Sequence, residues 1–442
     1  MTLALIACAA TALAQGLRRP QRKSSSQMAR LGASAAQKRQ SCVTTTNGVE
    51  WTYEVADGAI VLGGKAMKTA VPENTSGALT IPATINGLPV RGIGADAFCS
   101  CSNLTSVTIP FGVTNIGETA FFECSGLVSV TIPSSVTRIE CSAFSECRSL
   151  KSITIPPSVT SIEEGMFVGC GGLESVIISP SVTSIEEGSF QSCSGLTSVT
   201  IPSAVTNIEH LAFSFCSGVK AFCVDEANPW YSSRGGMLCS KDGTVLVAGV
   251  NGDVEIPSGV ERIARRAFWG YEGVTSVTIP SCVTNIGSLA FDFCDGLTNV
   301  VVAGDNSFYS AEEGVLYNKT KTELIRCWVS KKSEVIVPSS VVNIGSWAFN
   351  GCDELVAVTI PASVKSIGRG AFWNCRKLAK VMMCGERPAS QDSIFHAGGR
   401  LRTIHVPAHC KSWAGMSHWQ KIPLVFVDNL KDVAGKDPAV QK

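Results

Sequence analysis

Histidine and cysteine are the residues of this sequence whose types could support nucleophilic or metal chemistry. The chain has 5 His and 19 Cys, and four of the histidines lie between His396 and His418, close to Cys410. The spacing His405-x-x-x-His409 followed by Cys410 is not a recognised zinc pattern, and a Cys–His nucleophile pair would have to use this same segment. A hydrolase or metal-dependent enzyme with its site here is therefore one alternative, but we expect no enzymatic activity, no metal and no other cofactor.

A larger set of cysteines is periodic. Neighbours in a stacked column of coils would have Cα atoms about 5 Å apart, within disulfide range, but their side chains would point in parallel. A thiol packs well there as a small hydrophobic group, so the spacing predicts buried free thiols. The column is Cys101, Cys124, Cys147, Cys170, Cys193, Cys216, Cys294, Cys352 and Cys375. The pairing of cysteines without a common spacing cannot be deduced: Cys99, Cys141, Cys223, Cys239, Cys282, Cys327, Cys384 and Cys410.

The overall composition excludes several classes of protein. Lys plus Arg (37) balance Asp plus Glu (36) in 442 residues, which argues against a nucleic-acid-binding protein. No uninterrupted apolar run approaches the roughly 18 residues that a membrane span needs. The low aromatic content of 7%, with 41 Gly and 19 Pro, indicates many short strands and turns.

The two ends of the chain differ in composition from its body. Residues 1–14 form an apolar run that ends in Ala12-Leu13-Ala14, an A-x-A cleavage pattern typical of a signal peptide. The basic residues 15–46 predict a disordered linker, and residues 428–442 a disordered tail. We expect a secreted or cell-surface protein; an Arg-rich, Ser-rich, acid-poor leader also fits an organelle protein after transit-peptide removal.

A repeat with a step of 23 residues dominates the rest of the sequence. Ile before Pro recurs at this step, and a Phe keeps the same step. Cys usually follows the Phe by three residues, and Leu or Val follows the Cys by three. The Phe positions are Phe98, Phe121, Phe144, Phe167, Phe190, Phe213, Phe268, Phe291, Phe349, Phe372 and Phe395. The unit reads S-V-T-I-P-x-x-V-T-x-I-x-x-x-A-F-x-x-C-x-x-L.

Each part of this unit predicts a local structure. S-V-T-I alternates polar and apolar β-branched residues, as a short strand does, and Pro ends the strand. The three-residue steps in V-x-x-I and A-F-x-x-C-x-x-L favour turns or short 3₁₀-like segments. One coil cannot bury its own apolar face, so the sequence predicts a repeat solenoid over residues 94–403. It would carry parallel strands on one face, turns and short 3₁₀ or helical segments on the other, and caps at 47–93 and 404–427.

This repeat resembles the BspA-like leucine-rich repeat family, whose coils of 23 residues carry the same V-T-I-P and Phe-x-x-Cys-x-x-Leu pattern. The resemblance covers roughly residues 81–427. It implies a leucine-rich-repeat-like solenoid. Members of the family occur on bacterial surfaces and in some eukaryotic microbes, so the resemblance also implies adhesion to host proteins, matrix or other cells, although a fold does not fix a function.

Two coils are longer than the others, at residues 225–253 and 303–334, and we call them the first and second expanded coils. They align with each other, and the matching residues include Asn228 with Asn306 and Tyr231 with Tyr309. Asp242-Gly243 is a tight-turn signal in the first. The sequence therefore predicts a β-hairpin that stands off the solenoid in the first expanded coil, and a looser one in the second.

The outward strand positions and the expanded coils supply the candidate binding residues. A column of short hydroxyls forms a flat surface: Thr108, Thr131, Thr154, Thr200 and Thr278. Aromatic and Arg side chains, which dominate affinity at interfaces, occur in the expanded coils as Trp230, Tyr231, Arg234, Phe308, Tyr309 and Tyr317. We expect a monomer that binds a protein or glycan across the strand face between these coils, without a nucleic-acid partner. A passive structural spacer is the other alternative.

Overall fold

The computed structural model describes residues 41–46, 48–63, 69–328, 333–390, 393–395 and 400–428. The predicted signal peptide and all but the first residue of the predicted tail lie outside these ranges. Within them the coils stack into a β-solenoid with two parallel ladders of strands and a turn side. The predicted repeat solenoid is thus confirmed.

Ladder one is built from the S-V-T-I segments. Its strands pair in register, so that Thr108 lies beside Thr131 and Val107 beside Val130. The alternation predicted from sequence is present, since Val107 is buried and Thr108 exposed. The strands are Gly77–Thr80, Leu104–Thr108, Ser129–Thr131, Ser152–Thr154, Ser175–Ile177, Ser198–Ile201, Ala221–Val224, Gly252–Glu255, Val274–Ile279, Asn299–Val302, Glu334–Ile336, Ala357–Ile360, Lys380–Met383, Thr403–Pro407 and Ile422–Val427.

Ladder two corrects one expectation, because the V-T-x-I segment forms a short parallel strand where a 3₁₀-like segment was expected. Its Ile points into the core, as Ile116 does beside Ile139. A β-branched residue such as Ile fits an extended backbone, and this backbone pairs with the strands of the coils on both sides. The strands are Ala59–Leu62, Leu88–Ile93, Asn115–Ile116, Arg138–Ile139, Ser161–Ile162, Ser184–Ile185, Asn207–Ile208, Val245–Ala248, Arg262–Ile263, Asn285–Ile286, Glu323–Cys327, Asn343–Ile344, Ser366–Ile367 and Ala389–Ser390.

The turn side contains tight turns in place of the short helical segments expected from sequence. Two residues per coil have a left-handed backbone, and in the coil of Phe121 these are Thr119 (φ 54) and Glu123 (φ 57). Positive φ ends a right-handed helical path, so no helix can propagate through the A-F-x-x-C segment. Among the described residues, Lys411–Trp413 is the one 3₁₀ helix.

Phe and Cys columns fill the core beneath these turns. The rings of Phe98, Phe121 and Phe144 stack with centroids 4.9 and 5.2 Å apart. Seven of the nine column thiols donate to the carbonyl of a Phe in the preceding coil, as the Cys124 Sγ does to Phe98 O at 3.0 Å. All nine column cysteines are buried and free, which confirms that prediction. Burial raises the pKa of these thiols, to about 12 for Cys216.

The solenoid is capped at both ends. Strands Ser41–Thr46, Val49–Ala56 and Ala59–Leu62 form an antiparallel sheet, and Thr84–Ile85 pairs with Leu88–Ile93. The predicted disordered linker therefore ends earlier than expected: the Thr-rich and Val-containing segment 41–46 pairs along its whole length with the next strand. At the other end, His418–Trp419 pairs antiparallel with Ile422–Val427, and Trp413 is buried beneath them.

Each expanded coil inserts an antiparallel hairpin into ladder two. In the first, Tyr231–Arg234 pairs with Met237–Ser240, which pairs with the ladder strand Val245–Ala248. In the second, Tyr309–Glu312 and Val315–Asn318 pair in the same way with Glu323–Cys327. The hairpins were expected to stand off the solenoid, and this is wrong, since their strands extend the ladder along its axis.

The first expanded coil also lacks the turn that carries Phe and Cys. The flanking coils contact each other directly there: Phe215 N donates to Trp269 O at 3.0 Å, the bond that links consecutive coils elsewhere. Ladder two gains two strands at this level, and each strand occupies about 4.8 Å along the axis. The ladder-two side therefore has two more strands at this level than the turn side has turns.

Candidate binding surface

The outward face of ladder one presents the predicted Thr column to solvent. Thr108, Thr131, Thr154, Thr200 and Thr278 are all exposed. Three aliphatic side chains occupy the same column, with exposed fractions of 62% for Ile177, 45% for Val301 and 50% for Ile336. The sequence analysis did not identify them, although each is an Ile or Val at the position where the repeat usually has Thr. The face is thus partly apolar, which favours contact with a macromolecule.

Between the expanded coils this face carries negative charge. Asp253 and Glu255 are exposed on strand Gly252–Glu255. The Asp253 carboxylate accepts hydrogen bonds from Thr275 Oγ1 at 2.5 Å and Ser276 Oγ at 2.8 Å, which lower the pKa of Asp253. The acid is therefore ionised and held in place by the hydroxyls of the next strand.

Two of the predicted aromatic anchors are exposed at equivalent points of the two expanded coils. Trp230 has an exposed fraction of 57% and Phe308 one of 50%. Each directly precedes the first strand of an inserted hairpin, at the corner where a ladder-one strand leads toward ladder two. An exposed ring at such a corner is large, rigid apolar area next to the strand face.

The tyrosines beside them, also predicted as ligand anchors, each make a hydrogen bond within the protein. Tyr231 is half-buried, and its hydroxyl accepts a hydrogen bond from Ile208 N at 3.0 Å. Tyr309 does the same for Ile286 N, also at 3.0 Å. Each hydroxyl satisfies a ladder-two amide on the preceding coil, which the inserted hairpin would otherwise leave without a partner.

A buried Asn fixes each corner. Asn228 Nδ2 donates to Pro202 O and Val205 O at 2.8 and 3.0 Å, and its Oδ1 accepts from the amides of Trp230 and Tyr231, both at 2.8 Å. Asn306 makes the equivalent four bonds in the second expanded coil. The Asn therefore sets the position of the exposed aromatic residue two positions later.

The other two predicted anchors also have internal contacts. Tyr317 is buried, with an exposed fraction of 4%, so it cannot contact a ligand at the surface. Its strand Val315–Asn318 is covered on both faces, and the alternation seen in ladder one does not apply to it. Arg234 is half-buried and donates from Nη2 to Asp242 O at 2.9 Å, which ties the two turns of the first hairpin together.

Phe111 was missed by the sequence analysis. It follows Pro110 at a corner of the solenoid and has an exposed fraction of 79%. The signal was the change from P-S-S or P-S-A in other repeats to P-F-G here. Gly112 permits this corner with φ 112, where a Cβ would lie 2.9 Å from Arg91 Nη1.

The C-terminal His and Cys residues are dispersed. His405 is half-buried on strand Thr403–Pro407, and burial together with the Lys380 charge lowers its pKa. Cys410 is buried at the start of the 3₁₀ helix. In the described part of the chain, no three His, Cys, Asp or Glu side chains are placed to hold a metal ion. His396 lies outside that part.

A solenoid of short parallel strands with a Phe-x-x-Cys turn defines a leucine-rich repeat protein. The sequence profile described as BspA type leucine rich repeat region matches residues 91–220, 251–331 and 327–420, in 6 copies. The chain belongs to this family. No protein with a curated description matches the sequence.

Two solved structures are similar to the chain over most of its length. A leucine rich cell surface protein from Faecalibacterium prausnitzii A2-165 is 28% identical, covers 78% of this chain and 96% of its own, and has a TM-score of 0.56. The pneumococcal vaccine antigen PcpA is 18% identical, covers 89% of this chain and 95% of its own, and has a TM-score of 0.51. The second shows the fold alone.

Proposed function

We propose that this protein binds a protein or glycan ligand without chemical conversion, through the ladder-one face between the two expanded coils. The observation that carries the proposal is the pair of exposed rings, Trp230 and Phe308, held at equivalent corners by buried asparagines. Single exposed hydrophobic residues are ordinary, but two at matched positions on either side of one open strand face form a spaced pair of anchors.

The face between these anchors sets the kind of ligand. Exposed Asp253 and Glu255 attract positive groups, whereas Thr278 and Val301 supply hydroxyl and apolar contacts. Such a flat, mixed surface suits an extended macromolecule better than a small molecule, which binds in a concave site. A ligand segment with basic and hydroxyl-rich character fits this surface best.

We place the protein outside the cell, secreted or held at the surface. The apolar leader with its A-x-A pattern supports this, as does the cell-surface description of the Faecalibacterium protein. No helix in the described ranges combines the length and apolar character that crossing a bilayer requires. Cleavage after Ala14, detected by N-terminal sequencing of protein recovered from the medium or from the cell surface, is the expected result.

The binding proposal is tested with Trp230→Ala and Phe308→Ala combined. Wild-type protein is screened against immobilised matrix proteins and glycans. The affinities of the wild type and of the double variant are then compared on each surface that retains the wild type. We expect the affinity to fall at least about tenfold, or about 1.4 kcal/mol, because both anchors are lost.

Phe111→Ala is the control, since it removes a ring that is even more exposed and lies outside the expanded coils. It should leave the affinity unchanged. Equal affinity for the double variant, with circular dichroism unchanged, would move the binding site elsewhere, and retention of the wild type on no surface would favour a passive spacer.

A further inference from the structure

The second expanded coil places a cysteine that the repeat spacing does not predict at the position that Phe occupies in the regular coils. Cys327 ends strand Glu323–Cys327, and its amide donates to Ala348 O at 2.7 Å. In the first expanded coil, Gly249 makes the equivalent bond to Ala267 O at 2.9 Å. Regular coils make this bond from the amide of the Phe, as Phe349 does to Ala371 O at 2.7 Å. The Phe column is therefore interrupted at both expanded coils, and only the second coil carries a thiol at that position.

The contact between Cys327 and Cys352 follows the regular pattern, except that the residue at the Phe position also carries a thiol. A regular thiol, such as that of Cys193, donates to a Phe carbonyl at 3.2 Å. The Cys352 thiol donates in the same way to the carbonyl oxygen of Cys327 at 3.4 Å, so both residues of this contact carry a thiol. A Sγ atom that lies 3.4 Å from the backbone of the partner residue is in the range from which a disulfide, with Cα atoms about 4.4 to 6.8 Å apart, can form.

This thiol pair borders a cavity of about 160 Å³. Cys294 also lines it, and its rim includes the exposed Asp295 and Glu354. Lys377 lies 2.7 Å from Glu354, whereas Asp295 has no ion pair with another described residue. Small reagents can therefore approach the thiols from the surface, past an acidic rim.

We propose that Cys327 and Cys352 form an oxidative modification site that a low-molecular-weight disulfide converts to a cystine. One thiolate attacks the reagent, and the first reagent thiol leaves; the second protein thiolate then attacks the mixed disulfide, and the second reagent thiol leaves. Two protein thiols are oxidised and one reagent disulfide is reduced to two thiols, so protons and electrons balance. The new bond ties the second expanded coil to the regular coil after it.

The acidic rim makes the reaction selective for charge. A cationic reagent such as cystamine should react faster than an anionic one such as 3,3′-dithiodipropionate, because Asp295 attracts the first and repels the second. The hydrogen bond with Cys327 and burial raise the pKa of Cys352. The rate should therefore rise with pH, since the thiolate is the reacting form.

The test is disulfide mapping of the native wild-type chain after incubation with cystamine. Exposed Cys223 reports that the reagent is active, and the fully buried Cys170 and Cys193 are a control pair of neighbouring column thiols. We expect a peptide that links Cys327 to Cys352, no link between Cys170 and Cys193, and a higher melting temperature that returns to the starting value on reduction.

Cys327→Ser and Asp295→Asn sharpen the test. Cys327→Ser should abolish the link and the gain in melting temperature, and Asp295→Asn should reduce the preference for cystamine while the link still forms. The proposal is overturned if Cys223 is fully modified and the linked peptide is absent from the wild type. It is also overturned if Cys294 pairs with Cys327, or if the Cys170–Cys193 pair oxidises as readily.

Discussion

The two expanded coils share one scaffold and differ in how they fill the gap left by the missing turn. Asn228 and Asn306 make the same four hydrogen bonds, and Tyr231 and Tyr309 accept from equivalent ladder-two amides. These contacts satisfy the backbone groups that an insertion into the stack exposes. The shared residues are therefore those that the insertion itself requires.

The difference lies in three residues on the turn side. The first expanded coil has Ala248, Gly249 and Val250, where the second has Arg326, Cys327 and Trp328. Phe268 lies over Gly249 so closely that a Cβ there would be 1.9 Å from its ring. In the second coil, Trp328 packs edge-on against Phe291, with centroids 5.8 Å apart. A neighbouring ring fills the first gap, and the coil's own side chains fill the second.

Filling the second gap also buries a charged pair. Arg326 Nη1 lies 2.8 Å from Asp292 Oδ1, and Arg326 Nη2 donates to Asn350 O at 2.9 Å. The first coil has Ala248 and Ser214 at the corresponding positions, and both are uncharged. The two coils thus show that these two positions accept either a pair of uncharged residues or an ion pair, provided that both residues change together.

The largest effect should come from breaking that pair on one side. Arg326→Ala leaves the Asp292 carboxylate buried without its counter-charge, so we expect a loss of about 3 to 5 kcal/mol in the free energy of unfolding at pH 7. Urea titration with hydrogen exchange of the flanking coils measures the loss and locates it. The double change Arg326→Ala with Asp292→Ser gives these positions the residues found at the first coil, and it should cost less than Arg326→Ala alone. A larger cost would contradict the conclusion that the uncharged pair is an equivalent arrangement.

The loss should depend on pH in a defined direction. Burial raises the pKa of Asp292, and the Arg326 charge opposes that rise. Without Arg326 the pKa should rise further, and an acid whose pKa is raised on folding destabilises the fold as pH increases through that value. The cost of Arg326→Ala should therefore be largest at neutral pH and shrink in acid, where Asp292 is protonated. A cost that grows on acidification would contradict this.

A smaller effect, equal in the two coils, should follow from removing the shared Asn. Asn228→Ala leaves two amides and two carbonyls without their side-chain partner, and we expect a loss of about 2 to 3 kcal/mol. Asn306→Ala should cost the same. The two losses should add, because the sites lie in separate coils of a stack with nearest-neighbour coupling. Unequal losses would show that the common scaffold is supported differently in each coil.

The repeat columns were predictable from sequence because each depends on one residue type at a fixed step. Phe190 and Cys193 recur in register, so their burial and stacking follow from the spacing. Ladder two was mistaken for turns or short 3₁₀-like segments because its strands in the regular coils have only two residues, such as Asn115–Ile116, and form through pairing with other coils. No local pattern contains that information.

The candidate binding surface was predictable in part. Trp230 and Phe308 are exposed as expected, whereas Tyr317 is buried and Tyr231 has an internal partner. That partner is the amide of Ile208 in the preceding coil. Ile208 lies on a ladder-two strand, and the sequence analysis did not predict this ladder. The residues that the two expanded coils share at equivalent positions therefore include residues needed for folding as well as residues available for binding.

The smallest effect tests this division between folding and binding. Tyr231→Phe removes only the hydroxyl that accepts from Ile208 N at 3.0 Å, and the ring stays packed against the core. We expect a loss of about 1 kcal/mol in the free energy of unfolding, the usual net value of one hydrogen bond. Faster amide exchange at Ile208 would locate the loss, and Tyr309→Phe should do the same at Ile286. Ligand affinity should not change, since the hydroxyl faces the ladder; a weakened affinity with intact stability would return Tyr231 to the binding surface.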